Sequence, residues 1–270
     1  MYLPVTRLKI MEAIKCFVCV KPATTFKVNL DLCPECIEDF NELLKYCGDT
    51  ANIKRKFKKY RKKMQDIIIE SVEPLKRREI STIAWKVFSK TFESKETWFS
   101  VGRSYEDSIY FSIYAAGRMK NYLIMLKDMI KNEPLSFKRS FIKRFYKNFY
   151  VFKNKILNDI GYKNESISIK TYLDVLIRKL KPNAEKRNII MKIYDLLGKE
   201  DVLSRNFSVD DEKQKRIESN VAAANIYYIA TKELQKNIAD AIYITTVPIQ
   251  KHYKKIESIV GQKVAHISTS

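Results

Sequence analysis

Four cysteines near the start of the chain have the spacing of a metal site. Cys16 and Cys19 form one Cys-x-x-Cys pair, and Cys33 and Cys36 form a second. Two residues between cysteines let both thiolates of a tight turn point at one ion, and a second such turn completes the tetrahedral four-thiolate set that zinc prefers. The sequence therefore predicts one zinc ion in an N-terminal zinc ribbon at 1–45, with a strand in the intervening "TTFKV".

Two other uses of the four cysteines remain open: a redox-active dithiol and a pair of disulfides. Both are disfavoured because no apolar signal segment precedes the cysteines to direct the chain to an oxidising compartment. The ribbon is expected to fold independently of the rest of the chain. Cys47 is expected to be a thiol left over from the metal site.

The composition favours a protein that binds a polyanion. The 270 residues include 51 Lys and Arg against 31 Asp and Glu, which gives a net charge of +20, and nucleic acid is the first candidate partner for such a chain. A membrane surface is the alternative, but no apolar run approaches the ~18 residues that span a bilayer. With only two histidines, no glycine-rich phosphate loop and no serine elbow, the chain is predicted not to be an enzyme.

A strongly basic stretch follows the cysteines. The run "KRKFKKYRKK" places eight basic residues in positions 54–63, and we expect a basic linker at 46–63 with a face that attracts a polyanion. A solvated charge run is the alternative, although the interleaved Phe57 and Tyr60 favour a segment that also packs or stacks. The basic residues expected on this face are Lys54, Arg55, Lys58, Lys59 and Arg61.

The rest of the chain has the periodicity of α-helices. From Met64 onward apolar residues recur at spacings of three and four. A weak internal repeat is also present: "SIYFSIYAAGRMKNYLIMLKDMI" precedes a basic segment that reaches Tyr146-Lys147, and "NVAAANIYYIATKELQKNIADAI" precedes another that reaches Tyr253-Lys254. Each copy predicts a helix-turn-helix, and the spacing predicts helical domains at 64–160 and 161–262, with a tail at 263–270.

The second helix-turn-helix is a candidate for contact with DNA. Thr246 suits the N-cap of its last helix and Pro248 suits the first turn. Lys251, Lys254 and Lys255 then project from about one face, and a major groove accepts such a helix. A core helix with a solvated lysine edge remains the alternative.

The first helix-turn-helix carries basic residues in its last helix as well. We expect the aromatic residues of that helix to form its buried side and its basic residues to contact DNA. The expected buried residues are Phe141, Phe145 and Tyr146. The candidate DNA contacts are Lys138, Arg139 and Lys143.

The order of these features resembles the transcription factor IIB family and its archaeal counterpart. The resemblance covers about residues 16 to 260, and its most specific segment is "VGRSYEDSIYFSIYAAGR" at 101–118. The second repeat carries "SNVAAANIYYIAT" at 219–231, and "IADAIYITTVPIQKHYKKIESI" resembles the closing helix-turn-helix of the family. The resemblance implies a mainly α fold, with an N-terminal β zinc ribbon followed by two cyclin-like five-helix domains.

The resemblance also implies a function and a set of partners. Family members are transcription initiation factors that bridge TATA-binding protein on promoter DNA and a multisubunit RNA polymerase, on which the ribbon docks. The family's valine and arginine that read a purine-rich element beside the TATA box correspond to Val247 and Gln250, so the arginine is replaced. The expected protein is monomeric when free and does not bind membranes. It is intracellular and acts at the DNA, in the nucleus of a eukaryote, the cytoplasm or nucleoid of an archaeon, or the host compartment if a virus encodes it.

The main alternative is a stand-alone regulator with a zinc ribbon and a helix-turn-helix. Such a protein would bind an operator without TATA-binding protein and would be expected to show a dimerising heptad, which the sequence does not show. A zinc-dependent nuclease is a third class, but it would need a metal position open to substrate. Four cysteines make a closed set, so this class is disfavoured.

Overall fold

The computed structural model describes residues 25–27, 30–46, 53–92, 105–158, 162, 167–197 and 218–268. Within these ranges the chain is mainly α-helical, as its periodicity predicted, with one short β-hairpin. The chain divides into two compact units. Unit 1 comprises Met1–Lys120 and Ile124–Lys163, and unit 2 comprises Asn121–Leu123 and Asn164–Ser270.

The β-hairpin lies at the N-terminal end of the described residues. Strand β1 (Thr25–Lys27) pairs antiparallel with β2 (Leu30–Leu32), and Thr25 lies opposite Leu32. The hairpin overlaps the segment "TTFKV", whose β-branched and aromatic residues predicted a strand. It therefore stands in the sequence between the two cysteine pairs.

Unit 1 is built around one buried helix. In chain order its helices are α1 (Pro34–Tyr46), α2 (Ile53–Ser71), α3 (Pro74–Lys90), α4 (Tyr105–Met119), α5 (Leu126–Met129) and α6 (Leu135–Phe152). A π-helical turn, Lys153–Leu157, continues α6. Helix α4 packs against α2, α3 and α6. Its small buried residues, among them Ser108, Ala115 and Ala116, let neighbouring helices approach closely.

Helices α1 and α2 belong to the core of unit 1. The rings of Phe40 in α1 and Phe57 in α2 meet edge-on at 5.0 Å, and Trp85 Nε1 of α3 donates to Asp39 O of α1 at 2.6 Å. Residues 34–45 were expected in an independent ribbon and 46–63 in a linker, whereas residues 34–46 and 53–63 are helical and pack in unit 1, and 47–52 lie outside the described residues. The basic run predicted a linker because its charges outnumber its apolar residues. Phe57 in this run and Met64 and Ile68 after it lie on one side of α2, and all three are buried.

Unit 2 has the same kind of central helix. Its described helices are α7 (Ile169–Leu180), α8 (Ala184–Leu196), α9 (Ser219–Thr231), α10 (Gln235–Ile242) and α11 (Thr246–Ser268). Helix α9 packs against each of the other four, and its alanines 222, 223 and 224 are fully buried. Asn183 caps α8 by accepting from Lys186 N. The segment "NVAAANIYY" predicted the small-residue helix α9.

Both units end in the same order of helices. A buried central helix is followed by a short helix and then by a long basic one: α4, α5 and α6 in unit 1, and α9, α10 and α11 in unit 2. This is the order that the sequence repeat predicted. Within the described ranges, no helix combines the length and the apolar character needed to cross a membrane.

Candidate nucleic-acid-binding helices

The turn between α10 and α11 is fixed by backbone and side-chain contacts. Three residues separate the two helices, which is the spacing of a helix-turn-helix. Tyr243 has a left-handed φ of 57°, and Ile244 N donates to Ala239 O at 3.0 Å, which closes the C-terminus of α10. Lys179 of α7 donates from Nζ to Ala241 O at 3.0 Å, which places a positive charge at the negative end of α10. These contacts fix the direction in which α11 leaves the turn.

One side of α11 is buried and the other faces solvent. Ile249 and Ile256 are fully buried and Val260 is nearly so, at a spacing that keeps them on one face of the helix. The residues of α11 predicted to contact DNA are all on the exposed side. They are Val247, Gln250, Lys251, Lys254 and Lys255.

Two contacts hold the middle of α11 in unit 2. The ring of Tyr253 packs edge-on against Tyr228 of α9 with 5.8 Å between centroids. Lys232, directly after α9, forms an exposed ion pair in which its Nζ lies 3.1 Å from Glu257 Oε1. The aromatic contact buries apolar area, whereas the exposed ion pair contributes little to stability. Tyr253 is therefore a structural residue of the helix-turn-helix.

His252 does not add to the charge of the exposed face at neutral pH. Partial burial lowers the pKa of its imidazole below the ordinary value of 6.5, and the neighbouring positive charges of Lys251 and Lys255 lower the pKa further. The imidazole is consequently neutral at pH 7. The positive charge on this part of α11 comes from its lysines.

Helix α6 presents two of its three predicted DNA contacts to solvent. Arg139 and Lys143 are exposed. Lys138 is half-buried, and its Nζ donates to the backbone oxygen of Lys131. Lys138 is thus held within unit 1, while the other two cations remain accessible.

Tyr146 lies on the opposite side of α6 from the one predicted. The buried stripe of this helix consists of Phe141, Phe145, Phe149 and Phe152. Tyr146 is 66% exposed, because one residue beyond Phe145 turns the side chain by about 100° around the helix. Tyr253, which the sequence repeat matched to Tyr146, is half-buried in α11. The two tyrosines therefore occupy different environments.

Arg61 was predicted on the face that attracts a polyanion, but it is buried. Only 5% of the residue is exposed, its Nε donates to Asp39 Oδ2 at 2.5 Å, and its Nη1 donates to Ser81 Oγ at 2.9 Å. Burial raises the pKa of the Asp39 carboxyl to about 6, and the positive charge of Arg61 offsets part of this rise. Arg61 is therefore a structural residue. Its partner Asp39 is distant in sequence, so the basic run alone could not reveal the pairing.

The other predicted cations of this face lie in α2. Arg55, Lys58 and Lys59 are exposed, and Lys54 belongs to α2 but its side chain lies outside the described residues. Lys59 Nζ lies 2.9 Å from Glu106 Oε1 of α4. This pairing lowers the pKa of Glu106, so part of the charge of the basic run is neutralised inside unit 1.

The described half of the predicted zinc site lies at the start of α1. Cys33 directly precedes α1 and Cys36 lies in its first turn, and both are almost fully buried. A spacing of three residues at a helix start puts both thiols on one side, which fits half of a four-thiolate set. Cys16, Cys19 and Cys47 lie outside the described residues. Among the residues inside those ranges, no group of three or more His, Cys, Asp and Glu could hold a metal ion.

Sequence reasoning missed one residue of the helix-turn-helix. Lys179 lies in α7 and contacts the end of α10 both through Ala241 O and through the ring of Tyr243, with Nζ 4.6 Å from the ring centroid. No local signal identifies it, because its partners lie more than sixty residues further along the chain. Only the packed unit brings these residues together.

Comparison with known proteins adds no family to these observations. No protein-family model matches the chain, and no match is found among curated proteins. The functional interpretation therefore rests on the exposed surfaces of α6 and α11 and on the cysteine pairs.

Proposed function

We propose that this protein is a transcription initiation factor of the transcription factor IIB type. In this role it bridges TATA-binding protein on promoter DNA and a multisubunit RNA polymerase, and it acts by binding and not by catalysis. The observation that carries the proposal is α11, which follows a fixed three-residue turn, buries one side and exposes Lys251, Lys254 and Lys255 on the other. A recognition helix in the major groove needs these features.

The order of helices supports two cyclin-like domains. Helices α4 and α9 carry the segments "YEDSIYFSIYAAGRM" and "SNVAAANIYYIAT" on which the family resemblance depends. In each unit this segment forms the buried central helix, and a short helix and a basic helix follow it. A duplicated cyclin-like domain would have this arrangement.

We assign one zinc ion to the four cysteines of the N-terminal segment. Cys33 and Cys36 have the spacing and burial that one half of such a site needs, and Cys16 and Cys19 would supply the other half. Four thiolates form a closed set, so the ion would stabilise the local fold and leave no position open for catalysis. The ribbon would then serve as the contact with RNA polymerase.

A gel shift on a duplex that contains a TATA box tests the central claim. The full-length protein is expected to form a slower complex only when TATA-binding protein is also present. If it binds the duplex equally well without TATA-binding protein, the protein is a stand-alone regulator and the proposal fails. Addition of RNA polymerase is expected to retard the complex further, and Cys33→Ser is expected to weaken that second shift more than the first.

Variants of α11 separate affinity from sequence preference. Lys254→Ala is expected to weaken the complex on all sequences alike and to reduce the slope of log K against log salt by about 0.9, the value for one lost phosphate contact. Lys192→Ala, an exposed lysine of α8, is the matched control and should leave the slope unchanged. An unchanged slope for Lys254→Ala would contradict the placement of α11 on DNA.

Gln250 is expected to read a base. A glutamine pairs bidentately with adenine where an arginine favours guanine, at about 1–3 kcal/mol for a good pair. Selection from a randomised promoter pool with TATA-binding protein should therefore give a preference for adenine beside the TATA box, which Gln250→Ala removes. If the selected motif is the same for both proteins, this residue does not read bases.

A further inference from the structure

The outward side of α6 carries exposed tyrosines between cations. Tyr146 is 66% exposed and Tyr150 is 64% exposed, and Arg139, Lys143 and Lys147 are exposed beside them. At about 100° per residue these five side chains fall in one sector of the helix, opposite the buried phenylalanines. We refer to these five residues as the α6 outer face.

The α6 outer face has positive charge only. Residues 135–158 contain seven Lys and Arg and no Asp or Glu. Within the part of the chain that the structure describes, Arg139, Lys143 and Lys147 form no ion pair. Such a surface attracts a polyanion and repels a basic partner. An acidic peptide would meet the cations but would leave the two tyrosine rings uncovered.

The rings favour a single strand over a duplex. In a duplex the flat faces of the bases are stacked on one another, so only the phosphates could reach this surface. A single strand offers phosphates to the cations and base faces to the tyrosines, which is the combination that binds such strands without sequence preference. Tyr146 and Tyr150 are one helical turn apart, with a rise of about 6 Å between them, so neighbouring bases can stack on both.

We propose that the α6 outer face binds single-stranded DNA. The choice of DNA rests on the proposed function, because an initiation factor works where promoter strands separate. The surface belongs to unit 1, whereas the proposed recognition helix α11 belongs to unit 2. The two binding activities can therefore be measured and lost separately.

Fluorescence anisotropy with a labelled oligo(dT) strand tests the proposal on the full-length protein. Tyr146→Ala combined with Tyr150→Ala is expected to weaken binding by about tenfold or more, since each base stacked on an aromatic ring contributes substantially to affinity. The matched control changes both tyrosines to Phe, which keeps the rings, and should retain affinity within about threefold. Both rings are exposed, so neither double variant should unfold unit 1, as circular dichroism would show.

The charge of the surface is tested in the same assay. Lys143→Ala is expected to reduce the slope of log K against log salt by about 0.7, the value for one phosphate of a single strand. Lys86→Ala, an exposed lysine of α3 in the same unit, should leave the slope unchanged. Equal effects of the two lysines would overturn the assignment of this surface.

The remaining outcomes distinguish the possible ligands. Unchanged oligo(dT) binding by the alanine double variant overturns the proposal, as does an equal loss of affinity for a duplex of the same length. Tighter binding of oligo(U) than of oligo(dT) overturns the choice of DNA. Tyrosine-dependent oligo(dT) binding without any complex on TATA-binding protein supports the α6 outer face and overturns the proposed function. A TATA-dependent complex without oligo(dT) binding supports the proposed function and overturns the assignment of the α6 outer face.

Discussion

Loss of the Arg61 side chain is expected to destabilise unit 1 by an amount that depends on pH. Arg61→Ala removes the partner of the Asp39 carboxylate, which is only 8% exposed, together with the hydrogen bond to Ser81 and the contact with the Trp85 ring, whose centroid lies 5.6 Å from the guanidinium carbon. Removing one member of a buried ion pair costs about 3–5 kcal/mol, because a charge stays buried without compensation. We expect that loss in the free energy of unfolding at pH 8.

The sign of the pH dependence follows from the raised pKa of Asp39. The pKa is about 6 in the folded chain against an ordinary value of 3.8, so the folded state binds the proton more tightly than the unfolded state does. The stability that this group contributes is present below pH 3.8 and is lost as pH rises through 6. At pH 5 the carboxyl is mostly neutral, and Arg61→Ala should then cost only about 1–2 kcal/mol.

The loss in the free energy of unfolding at pH 5 and at pH 8 can be measured by urea denaturation followed by tryptophan fluorescence, because Trp85 contacts the ion pair. Arg78→Ala, an exposed arginine of α3, is the control and should change stability by less than about 0.5 kcal/mol at either pH. Asp39→Asn introduced into Arg61→Ala should recover part of the loss at pH 8 because it removes the buried charge. An equal loss at pH 5 and pH 8, or a loss below about 1 kcal/mol at pH 8, would refute this account of the pair.

Three further outcomes test other parts of the structure. Ala223→Leu should destabilise unit 2 by about 1–3 kcal/mol in urea denaturation, because this alanine of α9 is fully buried; Ala184→Leu, at an exposed position, should not. Tyr110→Phe should cost about 1–2 kcal/mol, because Tyr110 Oη donates to Glu133 Oε1 at 2.5 Å; equal stability would contradict that bond. Zinc analysis should find one ion per chain, and chelation should lower the urea midpoint of unit 1, because Cys33 directly precedes α1 and Cys36 lies in its first turn; an unchanged midpoint would show that the ribbon folds independently.

The sequence predicted the helices of this protein better than the environments of individual residues. The alanines of α9 and the apolar periodicity after Met64 are local signals, and both gave helices where they were expected. The exposed side of α11 was also predictable, because an amphipathic helix has its own period of buried residues. These features depend only on residues close together in the chain.

Features that depend on distant residues were missed. Arg61 looks like any other cation of "KRKFKKYRKK", and only the packing of α1 against α2 shows that Asp39 neutralises it. Tyr146 and Phe145 are adjacent in the sequence, and a buried stripe of four phenylalanines decides which of the two faces solvent. The environment of Arg61 is decided by the helix packed against it, which no local pattern records, whereas the stripe that decides between Phe145 and Tyr146 lies within α6 itself.

The packing of the helices also decides where the large positive charge of the chain can act. A cation is neutralised where another element supplies an acid, as with Lys63 of α2 beside Glu133 and Arg144 of α6 beside Asp107. Helix α6 contains no acidic residue, and α11 contains only Glu257, which pairs with a lysine outside the helix. Apart from Arg144, the exposed cations Arg139, Lys143 and Lys147 of α6 form no ion pair within the described residues, and neither do Lys251 and Lys254 of α11. A polyanion would be attracted to these cations because no acid in the described part of the chain pairs with them.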